Sequence, residues 1–191
     1  MLVNKSKATD LVSADLTQSG MSGESARAGG VFTVKCFDKD GNLKWEDAAH
    51  NLVVNEGLQD MNTKYFKGSG YTATWYLGLV TGPGSGNSYA AGDTLASHIG
   101  WSEDTNYSGN RKAVTFGTAS TADPSVLTNS LVPSLFSITG STTVAGAFLT
   151  NVNTGTSGIL FSVANFQSPG DRSVVSGDTL SVTYTFNLDA A

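Results

Sequence analysis

The sequence predicts an all-β fold, mainly antiparallel, of the β-sandwich or jelly-roll-like type. The first observation is the segment LSVTYTFNL at 180–188, in which apolar and polar side chains alternate along its whole length. The second is composition, because 22 glycines and many Ser, Thr and Asn suit short strands joined by turns. The third is that only one segment has a helical spacing of apolar residues.

The 180–188 segment is the clearest strand. Its apolar side chains share one face, which is typical of a half-buried antiparallel strand. Burying each of them contributes roughly 1.5–3 kcal/mol, so truncation of this strand is expected to unfold the domain. The five residues of that face are Leu180, Val182, Tyr184, Phe186 and Leu188.

A hairpin is predicted at the start of the β-rich region. VFTVKCFD at 31–38 is a strand candidate, KDGN at 39–42 carries an Asp-Gly turn signal, and LKWED is the return strand. Phe32, Val34 and Cys36 alternate onto one face, where Cys36 is expected to be a small buried hydrophobe.

One short helix is predicted near 56–66. The apolar run NLVV at 51–54 precedes Asn55, which has the character of an N-cap, and EGLQDMNTKYF follows it. Gly68 and Gly70 end the segment. Its modest apolar stripe consists of Leu58, Met61, Tyr65 and Phe66.

The remaining strands are short and separated by polar turns. ATWYLGLV at 73–80 is the most apolar and is expected to be central, with its bulk on both faces covered. Residues 121–134 are expected to form an irregular crossover, and 168–178 a loop or edge structure. GDTL occurs at 92–95 and 177–180, which we interpret as recurrent turn chemistry. The other strand candidates are RKAVTFGTAS (111–120), LFSITG (135–140), TVAGAFLT (143–150) and GILFSVANF (158–166).

Domain organisation follows from the contrast between the amino-terminal segment and the rest. Residues 1–30 contain no aromatic residue and no sustained period, so they are expected to form an extended arm. The arm is either flexible or ordered against a neighbouring subunit. Residues 31–191 are expected to form a single β-rich domain.

Composition and charge exclude several classes of function. The formal net charge is −5, and clustered Lys and Arg for a nucleic-acid surface are missing. No run approaches the roughly 20 apolar residues of a membrane-spanning helix, and no signal peptide is visible. The single cysteine, Cys36, cannot form an internal disulfide. We expect neither a nucleic-acid nor a membrane partner.

Sequence motifs predict no catalytic, cofactor or metal site. The two histidines are His50 and His98, and Cys36 on an apolar strand face is a poor nucleophile for either. FDKDGN at 37–42 resembles a calcium-loop fragment, but Ala49 stands where the twelfth-position glutamate would be. A hairpin turn explains it better. We expect a non-enzymatic protein without cofactors.

The segment AGDTLASHIGWSEDTNYSGN at 91–110 is the richest in functional side-chain types. Glu103 and Asp104 are adjacent, so on a strand they would face opposite ways, unlike the paired carboxylates of a glycosidase cleft. Trp101 and Tyr107 have three interpretations: lids over the end of the sandwich, interface anchors, or glycan contacts.

Several ordered segments together resemble a family of small virion proteins of tailed bacteriophages. The resemblance covers roughly residues 48 to 165, and the amino-terminal arm and 31–47 hairpin fall outside its strongest part. The segments that carry it are NLVVNEGLQDMNTKYF, TWYLGLV, AGDTLASHIGWSEDTNY, RKAVTF and VAGAFLT.

The resemblance implies a structural role in the virion, made in the host cytoplasm, as a capsid decoration (cement) protein. Its partners would be the major capsid protein and further copies of itself, as a dimer or trimer. His98, Trp101 and Tyr107 would then be partner-contact residues. The alternative is a host- or glycan-binding module on a tail or head fibre.

Overall fold

The described part of the chain folds as an all-β sandwich with a single short helix, as the sequence predicts. The computed structural model describes residues 26–68, 70–71, 74–83, 86–166 and 170–190. Every strand pairing among them is antiparallel. The elements are β1 (Ala26–Phe37), β2 (Leu43–His50), β3 (Leu52–Val53), α1 (Asn55–Tyr65), β4 (Tyr76–Thr81), β5 (Glu103–Asp104), β6 (Lys112–Ala113), β7 (Ser125–Thr128), β8 (Ser134–Ser137), β9 (Thr142–Thr150), β10 (Leu160–Asn165), β11 (Arg172–Val174) and β12 (Thr179–Ala190).

Two sheets form the sandwich. The first sheet has the order β2-β1-β12-β7, and β8 also pairs with β12. The second sheet has the order β3-β10-β9-β4-β5, with β11 paired to β9 and β6 paired to β4. The chain passes from the first sheet to the second at Asn51, whose amide donates to the carbonyl oxygen of Gly30. No helix in the described ranges is long and apolar enough to cross a membrane.

The main core lies between the two sheets and is built from inward-facing residues of both. From the first sheet come Phe32, Val34, Cys36, Leu180, Val182 and Tyr184; from the second come Leu77, Leu79, Val144, Ala147, Leu149 and Phe161. A second apolar cluster lies on the outer face of the second sheet, around Val80, Phe148 and Val163. The expectation that ATWYLGLV is covered on both faces is therefore confirmed, although the strand begins only at Tyr76.

The hairpin and the last strand follow the sequence predictions. Asp38 closes the turn between β1 and β2 by accepting the amides of Asp40 and Asn42, each at 2.9 Å. These bonds account for the calcium-like FDKDGN sequence as a turn. Strand β12 lies inside the first sheet, paired with β1 on one side and with β7 and β8 on the other. The apolar face of β12 becomes less buried toward the carboxyl end of the strand. Leu188 is 38% exposed there because β12 continues past the core.

Three boundary predictions were wrong. Strand β1 begins at Ala26, not at residue 31, because Ala26–Gly30 pair with β12 residues 186–190. Residues 26–30 of the expected arm therefore belong to the first sheet, and residues 1–25 lie outside the described residues. The 121–134 crossover contains strand β7, and the 111–120 strand is reduced to Lys112–Ala113. At 168–178 the edge interpretation is confirmed by β11.

Candidate functional site

Helix α1 lies against the second sheet through a face made of small and polar residues. Its buried members are Gly57 and Asp60. A side-chain carbon on Gly57 would lie 2.5 Å from the carbonyl oxygen of Phe161, so only glycine permits this approach to β10. The Glu56 carboxylate also accepts the Leu160 amide at 2.8 Å. The helix is thereby fixed by backbone proximity and polar contacts.

This orientation directs most of the apolar stripe away from the protein. Of the four stripe residues, only Met61 packs against the main core. Tyr65 and Phe66 are 83% and 80% exposed, and Leu58 is exposed as well. The N-cap residue is Val54, which lacks a side chain able to cap, so the prediction for Asn55 was wrong by one position. Leu58, Tyr65 and Phe66 are called the aromatic patch below.

The two rings of the aromatic patch form a small preorganised unit. Their centroids are 4.9 Å apart and the rings are nearly perpendicular, the edge-to-face geometry that aromatic pairs prefer. Next to them, the Lys64 ammonium lies 5.5 Å from the centre of the Tyr71 ring. The Tyr71 hydroxyl accepts from the Trp75 indole at 2.9 Å, and burial raises the pKa of Tyr71.

The aromatic patch differs from the other exposed apolar residues. Apart from Tyr71, the other large exposed apolar side chains in the described ranges are aliphatic: Leu43, Ile99, Leu131, Val132, Leu135, Val175 and Leu188. Every described aromatic side chain that is exposed lies between residues 65 and 71. Exposed aromatic groups are enriched where proteins bind partners, whereas scattered aliphatic residues are common on any surface.

Trp101 lies in the fold, as part of a lid on the outer face of the second sheet. It is 4% exposed, and its ring centroid is 5.3 Å from that of Phe148 on β9. Its indole N–H donates to the Asp93 carboxylate at 3.1 Å. A side-chain carbon on Gly100 would lie 2.1 Å from the Ser88 carbonyl oxygen, which shows how closely this loop folds upon itself.

Tyr107 is also a core residue, 6% exposed, with its ring edge-on to Phe136 at 4.8 Å. Its hydroxyl donates to the Glu103 carboxylate at 3.4 Å, and burial raises the pKa of this phenol. Both rings are almost fully buried and offer little surface in this chain, and their partner-contact role stays a prediction. Trp101 packs into the cluster on the outer face of the second sheet and Tyr107 into the main core, so both rings are packing residues but not the lids over the end of the sandwich that the sequence suggests.

His98 is half-buried and stacks on Trp101, with 3.9 Å between ring centroids. Its Nδ1 lies 3.1 Å from the carbonyl oxygen of Trp101, so the ring is held within its own loop. Its partner role stays a prediction. The fully exposed apolar residue of this loop is its neighbour Ile99.

The carboxylates of the 91–110 segment are engaged in structural contacts. On β5, Glu103 and Asp104 face opposite ways, as predicted. Glu103 accepts two bonds from Arg111, at 2.9 and 2.7 Å. Asp104 is buried and accepts from the Asn106 amide at 2.7 Å and the Thr142 hydroxyl at 2.6 Å.

The two GDTL segments share one turn. Asp93 accepts the amide of Ala90, and its own amide donates to the carbonyl oxygen of Ala90. Asp178 makes the same reciprocal pair with Val175. The interpretation of GDTL as recurrent turn chemistry is confirmed.

The residues considered for nucleophilic or metal chemistry are dispersed. Cys36 is buried opposite Trp45, while His50 is exposed opposite Val31 at the far end of the same hairpin. Burial, followed by the nearby Asp178 carboxylate, raises the pKa of Cys36 to about 11, which disfavours the reactive thiolate. Among the residues that the structure describes, no three His, Cys, Asp or Glu side chains are grouped to hold a metal ion.

No family model, no curated protein and no solved structure matches this chain. The site therefore rests on its own geometry. The sequence reasoning included Tyr65 and Phe66 in a helix but did not identify them as a surface. A signal was present, because Gly57, Asp60, Met61 and Lys64 follow the i, i+3, i+4, i+7 spacing of a second face. A glycine on that face indicates close packing against backbone.

Proposed function

We propose that this chain is a non-enzymatic structural protein of a tailed-bacteriophage virion. In this role it is a capsid decoration (cement) protein that binds the major capsid protein through its aromatic patch. The observation that carries the proposal is the confinement of all exposed, described aromatic side chains to residues 65–71. The resemblance of the 48–165 segments to small virion proteins supplies the biological setting.

The aromatic patch is suited to a protein partner. Tyr65 is the last residue of α1 and Phe66 is its C-cap, and their rings already pack edge-to-face, so placing them in a complementary pocket costs little conformational entropy. Aromatic residues dominate the few positions that supply most of the binding free energy at interfaces. Burying the two side chains contributes roughly 1.5–3 kcal/mol each.

Such a modest interface suffices for a decoration protein because it is repeated over the shell. Binding to the assembled shell, and not to its dissociated subunits, stabilises the shell by mass action. If the chain binds as a dimer or trimer, several patches engage neighbouring capsomers at once, and avidity multiplies the effect.

Copy number per purified virion is the first experiment. We expect a count in simple ratio to the major capsid protein, measured by quantitative densitometry of the two bands. A few to a few dozen copies would instead place the protein at a vertex, tail or fibre and favour the host- or glycan-binding alternative. Complete absence from virions would refute the virion role.

The second experiment tests the patch itself. The double variant Tyr65→Ser/Phe66→Ser should lose binding to undecorated shells by at least tenfold. The matched control is Leu131→Ser/Val132→Ser, which removes two exposed apolar side chains elsewhere. Equal loss of shell binding by both double variants would contradict a specific patch. If the Tyr65→Ser/Phe66→Ser variant kept shell binding but lost adhesion to host cells, the patch would instead serve the host- or glycan-binding alternative.

A further inference from the structure

A separate apolar pocket of about 150 Å³, open to solvent on one side, lies between the two sheets, at the end near the carboxyl half of α1. Both sheets and the helix contribute to its walls. The lining residues are Met61, Trp75, Phe116, Leu127, Leu149, Phe161, Tyr184 and Phe186. Except for Met61, none of them belongs to the predicted helix stripe, and none belongs to the aromatic patch.

The polar atoms of this lining already have partners. The Tyr184 hydroxyl, on a fully buried side chain, is bonded to the Asn51 amide at 2.9 Å and to the Ser162 hydroxyl at 3.3 Å. The Trp75 indole N–H donates to the Tyr71 hydroxyl at 2.9 Å. A water molecule against these walls would find almost no protein group to bond and would rely on neighbouring water. An apolar occupant displaces poorly bonded water at little cost.

The walls also favour a flat ring. The Trp75 and Phe161 rings meet nearly edge-to-face at 5.3 Å, and Phe161 meets Phe186 in the same way at 5.6 Å. An added ring can continue this edge-to-face arrangement. Size points the same way, because an engineered apolar cavity of about 150 Å³ in another protein binds benzene. A sugar or phosphate would have to give up its hydrogen bonds to water without replacement.

We propose that this pocket is a binding site for a monocyclic aromatic compound. The side of the compound that enters the pocket carries no polar groups. The site is independent of shell binding, because it uses other residues and another kind of ligand. The bound compound would contact Met61 of α1 together with Phe186 of β12 and Leu127 of β7. It would therefore add a contact between the helix and the first sheet.

Benzene titrated into the full chain tests the proposal directly, with methyl NMR as the readout. We expect saturable shifts of the Met61, Leu127 and Leu149 methyl signals and no shift of exposed Leu131. Glucose, a six-membered ring that depends on hydrogen bonds, should shift none of the three. Failure of benzene to shift the lining methyls, or equal binding of glucose, would overturn the proposal.

A pocket-filling substitution sharpens the test. Leu127→Trp places a larger side chain in the pocket and should weaken benzene binding at least tenfold. Leu131→Trp makes the same chemical change at a position that is 89% exposed, and should leave the affinity unchanged. Met61→Phe fills the pocket from the helix side and serves if Leu127→Trp fails to fold. Unchanged affinity in a folded filled variant would refute the site.

Discussion

Helix α1 exposes apolar side chains, whereas the 91–110 segment buries its large aromatic ones. The helix carries an apolar stripe, yet Leu58, Tyr65 and Phe66 face outward. The 91–110 segment is rich in polar residues, yet Trp101 and Tyr107 are buried. In each region a glycine allows a close backbone approach, Gly57 against Phe161 and Gly100 against Ser88. Position relative to the sheets, more than side-chain type, therefore decides which residues are available to a partner.

The largest expected effect on stability comes from a substitution in the 91–110 segment. Trp101→Ala should lower the free energy of unfolding by about 3–5 kcal/mol, the usual range for removing a buried Trp or Phe. The substitution leaves a cavity over Phe148 and removes the stacking partner of His98. Chemical denaturation measures the effect. A change below about 0.5 kcal/mol would show that Trp101 is not a structural lid.

The next effect tests how the helix is held. Gly57→Ala should destabilise the protein by about 1–3 kcal/mol, because the new carbon collides with the Phe161 backbone. In an exposed helix the same change would stabilise by up to about 1 kcal/mol. Gln59→Ala, at an exposed position of the same helix, is the matched control. Stabilisation by Gly57→Ala would contradict the close contact between α1 and β10.

A smaller effect is expected in alkaline solution. Tyr89 lies beside Trp101, with 6.2 Å between ring centroids, and burial, the largest cause, raises its pKa from 10.0 to about 12. Between these values the folded protein keeps a proton that the unfolded chain has lost, so the stability contributed by Tyr89 is complete below pH 10 and disappears as pH rises toward 12. Denaturation midpoints across this window measure the slope. Tyr89→Phe should flatten the slope, and an unchanged slope would contradict the burial of this phenol.

The smallest effect on stability belongs to the aromatic patch. Phe66→Ala and Tyr65→Ala should each change the free energy of unfolding by no more than about 0.5 kcal/mol, because neither side chain is packed in the fold. The same denaturation assay used for Trp101 measures them. A loss of 2 kcal/mol or more would mean that the rings are buried within this chain.

The sequence predicted the regular parts of the fold well, and the physical reasons are clear. Strict alternation in β12 and the Asp-Gly turn after β1 are local signals, so both features were recovered. The start of β1 was missed because Ala26–Gly30 have no strand propensity and pair only because β12 extends beside them. Strand β7 was missed for a similar reason, since Ser125–Thr128 depend on β12 as their partner.

The candidate site was less predictable than the fold. Trp101 and Tyr107 were candidates for partner contact because they are large aromatic residues in a polar, Gly-rich segment. Their burial depends on contacts with Phe148 and Phe136, which are distant in sequence. The exposure of Tyr65 and Phe66 depends on which helix face meets β10. Packing between the helix and the sheet decides which helix face is buried. The hydrophobic pattern along one helix does not carry this information.

Amide hydrogen exchange, compared between the free protein and the shell-bound protein, tests the central claim most directly. We expect peptides from 55–68 to gain protection on binding, while the exchange of those from 91–110 does not change. Protection gained at 91–110, around exposed Ile99, with none at 55–68, would contradict the assignment of the binding surface to the aromatic patch.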